Sequence, residues 1–170
     1  MRANGTGVLR GLFRGDSHRL AKRVHGAYSH VMNAIVVGTD GSDGAEAAVQ
    51  KVIDIAGGRG TTVHVVCAYP GRSTLERIGL TAKTDPVNLR GVAADVVARD
   101  ERRFLEAGFE VQKHVREGDP AHTLIDVAEE EGADLIAVGA RGQGALRRFA
   151  LGSVSAKLSH NTPVSLLIVH

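Results

Sequence analysis

Residues 34–42, with the sequence AIVVGTDGS, join a wholly apolar tetrapeptide to a glycine-rich turn. A strand covered by helices on both faces of a parallel sheet shows such an uninterrupted apolar run, because neither direction of its side chains faces water. The residues that follow, Gly38 to Ser42, are turn formers rather than strand formers. This stretch therefore predicts a buried strand of a parallel sheet that ends in a loop.

Similar apolar segments recur along the chain and alternate with helical patterns. Further strands are predicted at residues 62–69, 109–115, 135–138 and 164–169, and the second of these alternates apolar and polar residues as an edge strand does. Amphipathic helices are predicted at residues 45–56, 92–104, 120–128 and from 153 to 158. The alternation predicts a Rossmann-like α/β fold: an open, five-stranded parallel sheet of order 3-2-1-4-5, with helices on both faces.

One connection does not fit this regular pattern. Residues 70–86 lie between the second strand and the second helix and have no periodic arrangement of apolar residues. Such a connection is long for a strand-to-helix loop, and long loops often carry function. We expect this segment to be a functional lid.

The composition is that of an ordinary globular domain, since 43% of the 170 residues are hydrophobic and 24% are charged. No apolar run is long enough for a transmembrane helix. The single cysteine, Cys67, excludes an internal disulfide and a multi-cysteine metal site, and it is predicted to be an inert buried thiol. Tryptophan is absent and only 4% of residues are aromatic, which argues against a stacking surface for single-stranded nucleic acid.

The net charge of +2 is unevenly distributed. Residues 1–30 carry six basic side chains and one acidic one, so the remainder of the chain is mildly acidic and is not expected to bind nucleic acid. Residues 1–31 are predicted to be a poorly ordered basic extension, and residues 32–170 to be the domain. The extension is open to three interpretations: an upstream or non-native addition, an arm that contacts anionic surfaces, or a transit-like segment.

The two most glycine-rich turns of the domain follow the first and fourth strands, at residues 38–42 and 139–144. In a sheet of this order, ligands bind where the carboxyl ends of these two strands diverge. Glycines allow a ligand to approach the backbone, and Gly152-Ser153 opens a helix whose free N–H groups favour phosphate. Asp40 is suited to a ribose hydroxyl or a divalent cation. Alternatively, the glycines only form turns, and Asp40 and Ser153 only cap helices.

Other kinds of site are excluded or disfavoured by spacing. The P-loop motif is absent, and Gly142 and Gly144 are not followed by the third glycine of a dinucleotide-binding motif. No Ser/His/Asp or Cys/His arrangement is recognisable, so we expect no catalytic residue. His64 and Cys67 are predicted to face opposite sides of a strand. Three further histidines lack the spacing of metal ligands and are predicted to lie at the surface: His114, His122 and His160.

Three segments together resemble the universal stress protein family over residues 32–170. They are residues 36–42 after the first strand, residues 134–139 at the fourth strand, and a glycine pattern of the form G-x2-G-x9-G-S/T. That pattern begins at Gly139 and Gly142 and closes at Gly152-Ser153. The same spacing is the family's ATP-binding signature, and the closing strand at residues 161–169 is also similar. The basic extension departs from the family pattern, so the resemblance does not cover it.

The resemblance implies a nucleotide site and assigns its residues. It places Asp40 near the ribose, Ala68 near adenine, and Arg141 where its charge assists the phosphates. The complete set implied to contact the nucleotide is Gly38, Thr39, Asp40, Ala68, Val138, Gly139, Arg141, Gly142, Gly152, Ser153, Val154 and Ser155. ATP, with Mg²⁺ or Mn²⁺ as a possible companion, and cyclic AMP both remain open as ligands. The family resemblance also implies a small cytoplasmic regulator of the stress response.

The last predicted strand suggests how two copies associate. Residues 164–169 are mostly apolar on both faces, and an unprotected apolar edge is a template for pairing with another strand. Members of the family pair their edge strands in this way. We therefore expect a homodimer through this strand.

Overall fold

The computed structural model describes residues 32–57, 60–77, 86–143 and 151–170. The expectations for the basic extension at residues 1–31, for residues 78–85 of the expected lid and for residues 144–150 lie outside the described residues. Within the described part of the chain, no helix is both long and apolar enough to cross a membrane.

Five strands form one parallel sheet in the order β3-β2-β1-β4-β5, which confirms the predicted topology. The strands are β1 (Ala34–Gly38), β2 (Thr62–Tyr69), β3 (Glu110–Glu117), β4 (Leu135–Gly139) and β5 (Ser165–Val169). In the centre of the sheet, Val36 of β1 lies between His64 of β2 and Ile136 of β4. Strand β3 is at one edge, as its alternating sequence predicted, and β5 is at the other.

Five helices pack around this sheet in the described part of the chain. They are α1 (Asp43–Ala56), α2 (Arg72–Arg77), α3 (Pro86–Glu106), α4 (Pro120–Glu130) and α5 (Ser153–Asn161). Asp119 caps α4 by accepting hydrogen bonds from two backbone N–H groups, and Pro120 occupies its first turn, as predicted. Helix α1 ends at Gly57, which takes the left-handed conformation with φ 71°.

Residues 70–86, which show no periodic pattern in the sequence, are helical in part. Residues 72–77 form the short helix α2, and α3 already begins at residue 86, six positions before the first residue predicted to be helical. Helix α2 is held by one buried side chain, Leu75, and its first turn begins with hydrogen bonds to the Gly71 carbonyl. A single buried residue leaves no periodic pattern, which is why the sequence did not indicate this helix.

The strands bury apolar side chains on both faces, as the uninterrupted run in β1 predicted. On one face, Ile35 and Val37 pack with residues of α1 and α3, including Val49, Val97 and Phe104. On the other face, Ala34 and Val36 pack with residues of α4 and α5, including Leu124, Val127 and Leu158. Full burial of one valine or isoleucine stabilises a fold by about 1.5–3 kcal/mol, so β1 anchors both layers.

Candidate functional site

A cavity of about 650 Å³ opens at the carboxyl ends of β1 and β4, where the strand order reverses. This is the crevice in which open α/β sheets bind their ligands. Every residue that the sequence analysis assigned to the site lines this one cavity. They are Gly38, Thr39, Asp40, Ala68, Val138, Gly139, Arg141, Gly142, Gly152, Ser153, Val154 and Ser155.

The cavity also has lining residues that sequence reasoning missed. They are Ala45, Val66, Pro120, Leu124, Gln143 and Leu151. Most are apolar residues of helices and strands, and a side chain of this kind has the same sequence signal whether it faces a core or a cavity. Gln143 is the exception, because it lies inside the second glycine-rich turn. Its uncharged side chain gave no sequence signal for a role in the site.

Asp40 connects the two turns that border the cavity. Its Oδ1 accepts a hydrogen bond from the Ser42 N–H at 3.0 Å, and its Oδ2 accepts one from the Gln143 N–H, also at 3.0 Å. The Gln143 side chain donates in return to the Asp40 carbonyl oxygen at 2.6 Å. A carboxylate has room for about four hydrogen bonds, so Asp40 can still accept one from a ligand hydroxyl.

The alternative that Asp40 only caps the first helix is wrong. Ser42 is the N-cap of α1, since its backbone is extended and its Oγ accepts a hydrogen bond from the Ala45 N–H at 3.3 Å. Asp40 lies two residues earlier, and its carboxylate forms an Asx turn by accepting the hydrogen bond from the Ser42 N–H.

The glycines of the second turn are needed for close approach rather than for unusual dihedral angles. A Cβ atom at Gly139 would collide with the backbone of Gly44, and one at Gly142 would collide with the Asp40 carboxylate. Neither glycine has a positive φ; the left-handed residue that borders the cavity region is Gly41, with φ 77°. The second turn therefore packs directly on the first turn and on the start of α1.

Helix α5 begins at the cavity wall with backbone N–H donors that have no hydrogen-bond partner among the described residues. Its N-cap, Gly152, makes no side-chain capping hydrogen bond, and the first helical bond is from the Ala156 N–H to the Gly152 carbonyl. The N–H groups of Ser153, Val154 and Ser155 precede that bond, so they lack partners within the helix. These groups and the helix dipole favour an anion at this wall of the cavity.

The two serines of this turn differ in what their hydroxyl groups can do. The buried Ser155 Oγ donates to the Ala140 carbonyl at 2.9 Å or the Gly152 carbonyl at 3.1 Å, so it fastens the turn to the helix. Ser153 is exposed and lines the cavity, and among the described residues its hydroxyl has no hydrogen-bond partner. The Ser155 hydroxyl is therefore engaged within the protein, which leaves the backbone N–H of Ser155 as its group for a ligand.

A buried hydrogen bond ties the first turn to α3. The Thr39 Oγ1 donates to Asp100 Oδ2 at 2.7 Å, and it accepts from the Gly41 N–H at 3.3 Å. Asp100 is fully buried and also accepts from Arg99 Nε at 3.1 Å, and Arg99 pairs with Glu46 of α1 at 2.9 Å. The Thr39 side chain thus holds the first turn against α3.

The charged groups at the cavity are few. Among the described residues, the lining carries one carboxylate, Asp40, and one guanidinium, Arg141. Nearby Cys67 is buried, and burial, followed by the charges of Asp40 and Asp100, raises the pKa of its thiol to about 11. A thiol that stays protonated at neutral pH is a poor nucleophile, in line with the predicted inert role. The described lining residues can bind an anion through Arg141 and the backbone N–H groups at the start of α5.

Not all histidines lie where the sequence analysis placed them. His122 and His160 are exposed, as predicted. The prediction that His114 is a surface residue is wrong, because it is half-buried and its Nε2 lies 3.1 Å from Nδ1 of the fully buried His64. The two residues are 50 positions apart, and local spacing cannot reveal a contact between neighbouring strands.

Fold and site together define a class of small α/β domains with a glycine-lined cavity at the switch point of a five-stranded parallel sheet. The chain belongs to the universal stress protein family, whose family model matches residues 32–170. Universal stress protein Rv1636 of Mycobacterium tuberculosis is 33% identical over 139 residues, which cover 80% of this chain and 94% of that protein.

Solved structures of the family share the fold. A universal stress protein crystallised in complex with cAMP is 29% identical, with a TM-score of 0.62 and coverage of 82% of this chain and 98% of that one. A universal stress protein from Archaeoglobus fulgidus, solved in complex with dAMP, is 23% identical, with a TM-score of 0.61 and coverage of 82% and 99%. At that level of identity, the second likeness bears on the fold only.

Proposed function

We propose that this chain binds an adenine nucleotide, with ATP as the leading ligand, and acts as a nucleotide-dependent regulator in the stress response. The observation that carries the proposal is the convergence of all the predicted contact residues on one cavity, beside the uncapped start of α5. The 29% identical relative solved with cAMP supports an adenine nucleotide as the class of ligand. We further propose that the protein acts in the cytoplasm.

The lining divides into parts that suit the parts of a nucleotide. Backbone N–H groups at residues 153–155 and the glycine-rich turn suit the phosphates, with Arg141 adding positive charge. Asp40 suits a ribose hydroxyl, which can donate to its carboxylate. The apolar side of the cavity, with Val66, Ala68 and Leu124, suits the adenine ring.

The described cavity residues offer one carboxylate, that of Asp40, to a divalent cation bound with the nucleotide. Asp40 is the carboxylate available among the described lining residues, and both of its oxygens already accept backbone hydrogen bonds. Mg²⁺ is held in many sites by one or two carboxylates together with the phosphates of the substrate. We infer that Mg²⁺ or Mn²⁺ would be held mainly by the nucleotide, with Asp40 as the nearby protein ligand.

Two further possibilities rest on the same cavity. Cyclic AMP is favoured by the solved relative that holds it, and the protein would then bind or sequester that messenger. Slow ATP hydrolysis is the other possibility. Its rate is limited because, among the described lining residues, Asp40 is the one carboxylate that could act as a base. We expect no more than weak hydrolysis.

We propose that the functional unit is a homodimer through β5. This strand pairs with β4 along one edge, and it is the last strand of the described sheet on that side. Leu166, Leu167 and Ile168 are only partly buried there. An apolar edge with unpaired backbone groups is a template for a second strand. Sedimentation velocity at micromolar concentration tests this, and a monomer throughout would contradict it.

Calorimetric titration of the metal-free protein with ATP, cyclic AMP and AMP, each with and without Mg²⁺, tests the proposed ligand. We expect saturable binding of ATP with one site per chain. Tighter binding of cyclic AMP than of ATP would favour the messenger-binding alternative, and a phosphate-release assay on the same samples measures hydrolysis. If none of the three nucleotides binds, the proposed function is wrong.

A further inference from the structure

A group of metal-ligating side chains lies away from the cavity, on the sheet face that α4 covers. His64 is on β2, His114 is on the edge strand β3, and Glu131 follows directly after α4. One potential ligand atom from each of these residues lies within 4.8 Å of the others. None of the three lines the cavity described above. We refer to these three residues as the His–Glu cluster.

The sheet register explains how the two histidines meet. His114 pairs with Val66 and His64 pairs with Gln112, so the imidazoles are diagonal neighbours on the same face of adjacent strands. Diagonal neighbours on a sheet are within reach of long side chains. The resulting distance from His64 Nδ1 to His114 Nε2 is 3.1 Å.

We propose that the His–Glu cluster is a Zn²⁺ site. Two imidazoles and one carboxylate are a known ligand set for zinc with a fourth position left open to water. Zn–N bonds of about 2.0–2.1 Å in a tetrahedron place two donor atoms roughly 3.3 Å apart. The two histidine nitrogens already have nearly this separation, and a Glu131 carboxylate oxygen lies within 4.8 Å of a ring nitrogen of each histidine.

The surrounding charges also favour a cation. The cluster lies at the carboxyl end of α4, whose last turn has no basic residue and runs into three consecutive glutamates, residues 129–131. The partial negative charge of a helix carboxyl end attracts cations. Among the described residues, Glu130 is paired with Arg116, whereas Glu131 has no salt bridge within 4.0 Å.

The positive charge of Arg116 disfavours a cation at the cluster by electrostatic repulsion. Its Nη2 lies 3.5 Å from Nδ1 of His114, and it also pairs with Glu130 at 2.6 Å. A metal ion on Nε2 leaves the His114 proton on Nδ1, so the weak contact with Arg116 is lost and Arg116 remains on Glu130. An Arg116→Gln variant should therefore bind Zn²⁺ more tightly than the native protein, because one positive charge is removed.

Calorimetric titration of the EDTA-treated, dialysed full-length protein with Zn²⁺, and absorption spectroscopy with Co²⁺, test the site. We expect Zn²⁺ to raise the melting temperature and Co²⁺ to give visible absorption bands of four-coordinate geometry. His114→Gln and Glu131→Gln should each weaken Zn²⁺ binding by about tenfold or more, since one of three ligands is lost. The exposed residues His122 and Glu129 provide the matched controls His122→Gln and Glu129→Gln, which should bind as the native protein does.

The histidines of the basic extension, His18, His25 and His30, are present in every variant, so any binding that they contribute cancels in the comparison. Circular dichroism establishes that each variant is folded. The more exposed Glu131 makes Glu131→Gln informative even if His114→Gln fails to fold. Equal Zn²⁺ affinity in Glu131→Gln and Glu129→Gln, or no Zn²⁺ binding by the native protein, would overturn the proposal. Because no cluster residue lines the cavity, the result is independent of nucleotide binding.

Discussion

The cavity at the carboxyl edge of the sheet and the His–Glu cluster are proposed to bind their ligands, a nucleotide and Zn²⁺, by opposite means. The cavity presents backbone N–H groups, and its walls are shaped by residues that lack side chains, such as Gly139 and Gly142. The cluster presents two imidazoles and a carboxylate on a wall of regular structure. Adding a side chain should therefore damage ligand binding in the cavity, whereas removing a side chain or changing the pH should affect the cluster.

The largest expected effect is from Gly142→Val. The new side chain would occupy the place of the Asp40 carboxylate and block ligand approach to the backbone, so ATP binding should be lost in calorimetry. Ser153→Ala removes one exposed hydroxyl, and we expect a much milder loss of about 0.5–1.5 kcal/mol in binding free energy. Circular dichroism should show that both variants are folded.

Gly91→Val is the matched control for Gly142→Val. Gly91 lies in α3, has no positive φ, and has open space where the new side chain would be. This variant should bind ATP as the native protein does. Native ATP affinity in a folded Gly142→Val variant would mean that the glycines only form turns and that the nucleotide binds elsewhere.

Asp40→Ala should have the next largest effect. A hydrogen bond from a ribose hydroxyl to a carboxylate is worth about 1.5–3 kcal/mol, so nucleotide affinity should fall by roughly 10- to 100-fold. Binding of inorganic pyrophosphate should change little, because it has no ribose. Asp54→Ala, at an exposed position near the end of α1, is the control and should have no effect. An equal loss for pyrophosphate would show that Asp40 acts through the turn and not through the ribose.

A smaller effect on the free energy of unfolding is expected when the pH is lowered, and it arises from the two histidines of the His–Glu cluster. The folded state lowers the pKa of both His64 and His114, so the unfolded chain binds more protons once the pH falls below about 6.5. The free energy of unfolding, measured with urea in the presence of EDTA, should therefore fall as the pH is lowered from 7 through this range.

His114→Gln should flatten that pH dependence, because the variant has one less buried imidazole to titrate. Asp119, whose pKa is lowered by its hydrogen bond to Lys157, loses its stabilising contribution only at more acidic pH, so the two effects are separable. An identical pH profile in the native protein and in His114→Gln would contradict the assignment of this stability change to the histidine pair.

The smallest expected effect is from deletion of residues 1–31. We propose that residues 32–170 are the complete folding unit, since the family match begins at Met32 and every core and cavity residue described above follows it. Melting temperature and ATP affinity should be unchanged, and only salt-sensitive binding to anionic surfaces should be lost. A clear drop in melting temperature would show that the extension packs on the domain.

The sequence predicted the cavity better than the cluster for a physical reason. Each strand of the fold is a separate apolar run, and the position of the glycine-rich turns after the first and fourth runs follows from chain order and the handedness of crossovers. The cluster depends on the register between β2 and β3 and on the end point of α4, which no local pattern determines. His114 therefore had the sequence signal of a surface residue.

Other features that the sequence did not reveal have a similar origin. Helix α2 is too short for a periodic signal, and the contact between Asp40 and Gln143 joins residues 103 positions apart. The different roles of Ser153 and Ser155 depend on which hydroxyl points inward, a property of the folded helix start rather than of the sequence.

The most direct test of the central claim is amide nuclear magnetic resonance of the ¹⁵N-labelled protein during titration with ATP. We expect saturable shifts with ATP for the backbone amide signals of residues that line the cavity: Gly139, Gly142, Ser153, Val154 and Ser155. The amide signals of His114 and Glu131 should stay in place. Saturable binding of ATP that leaves the amides of the glycine-rich turn and of the α5 start unshifted would contradict the claim that this cavity holds the nucleotide through its backbone.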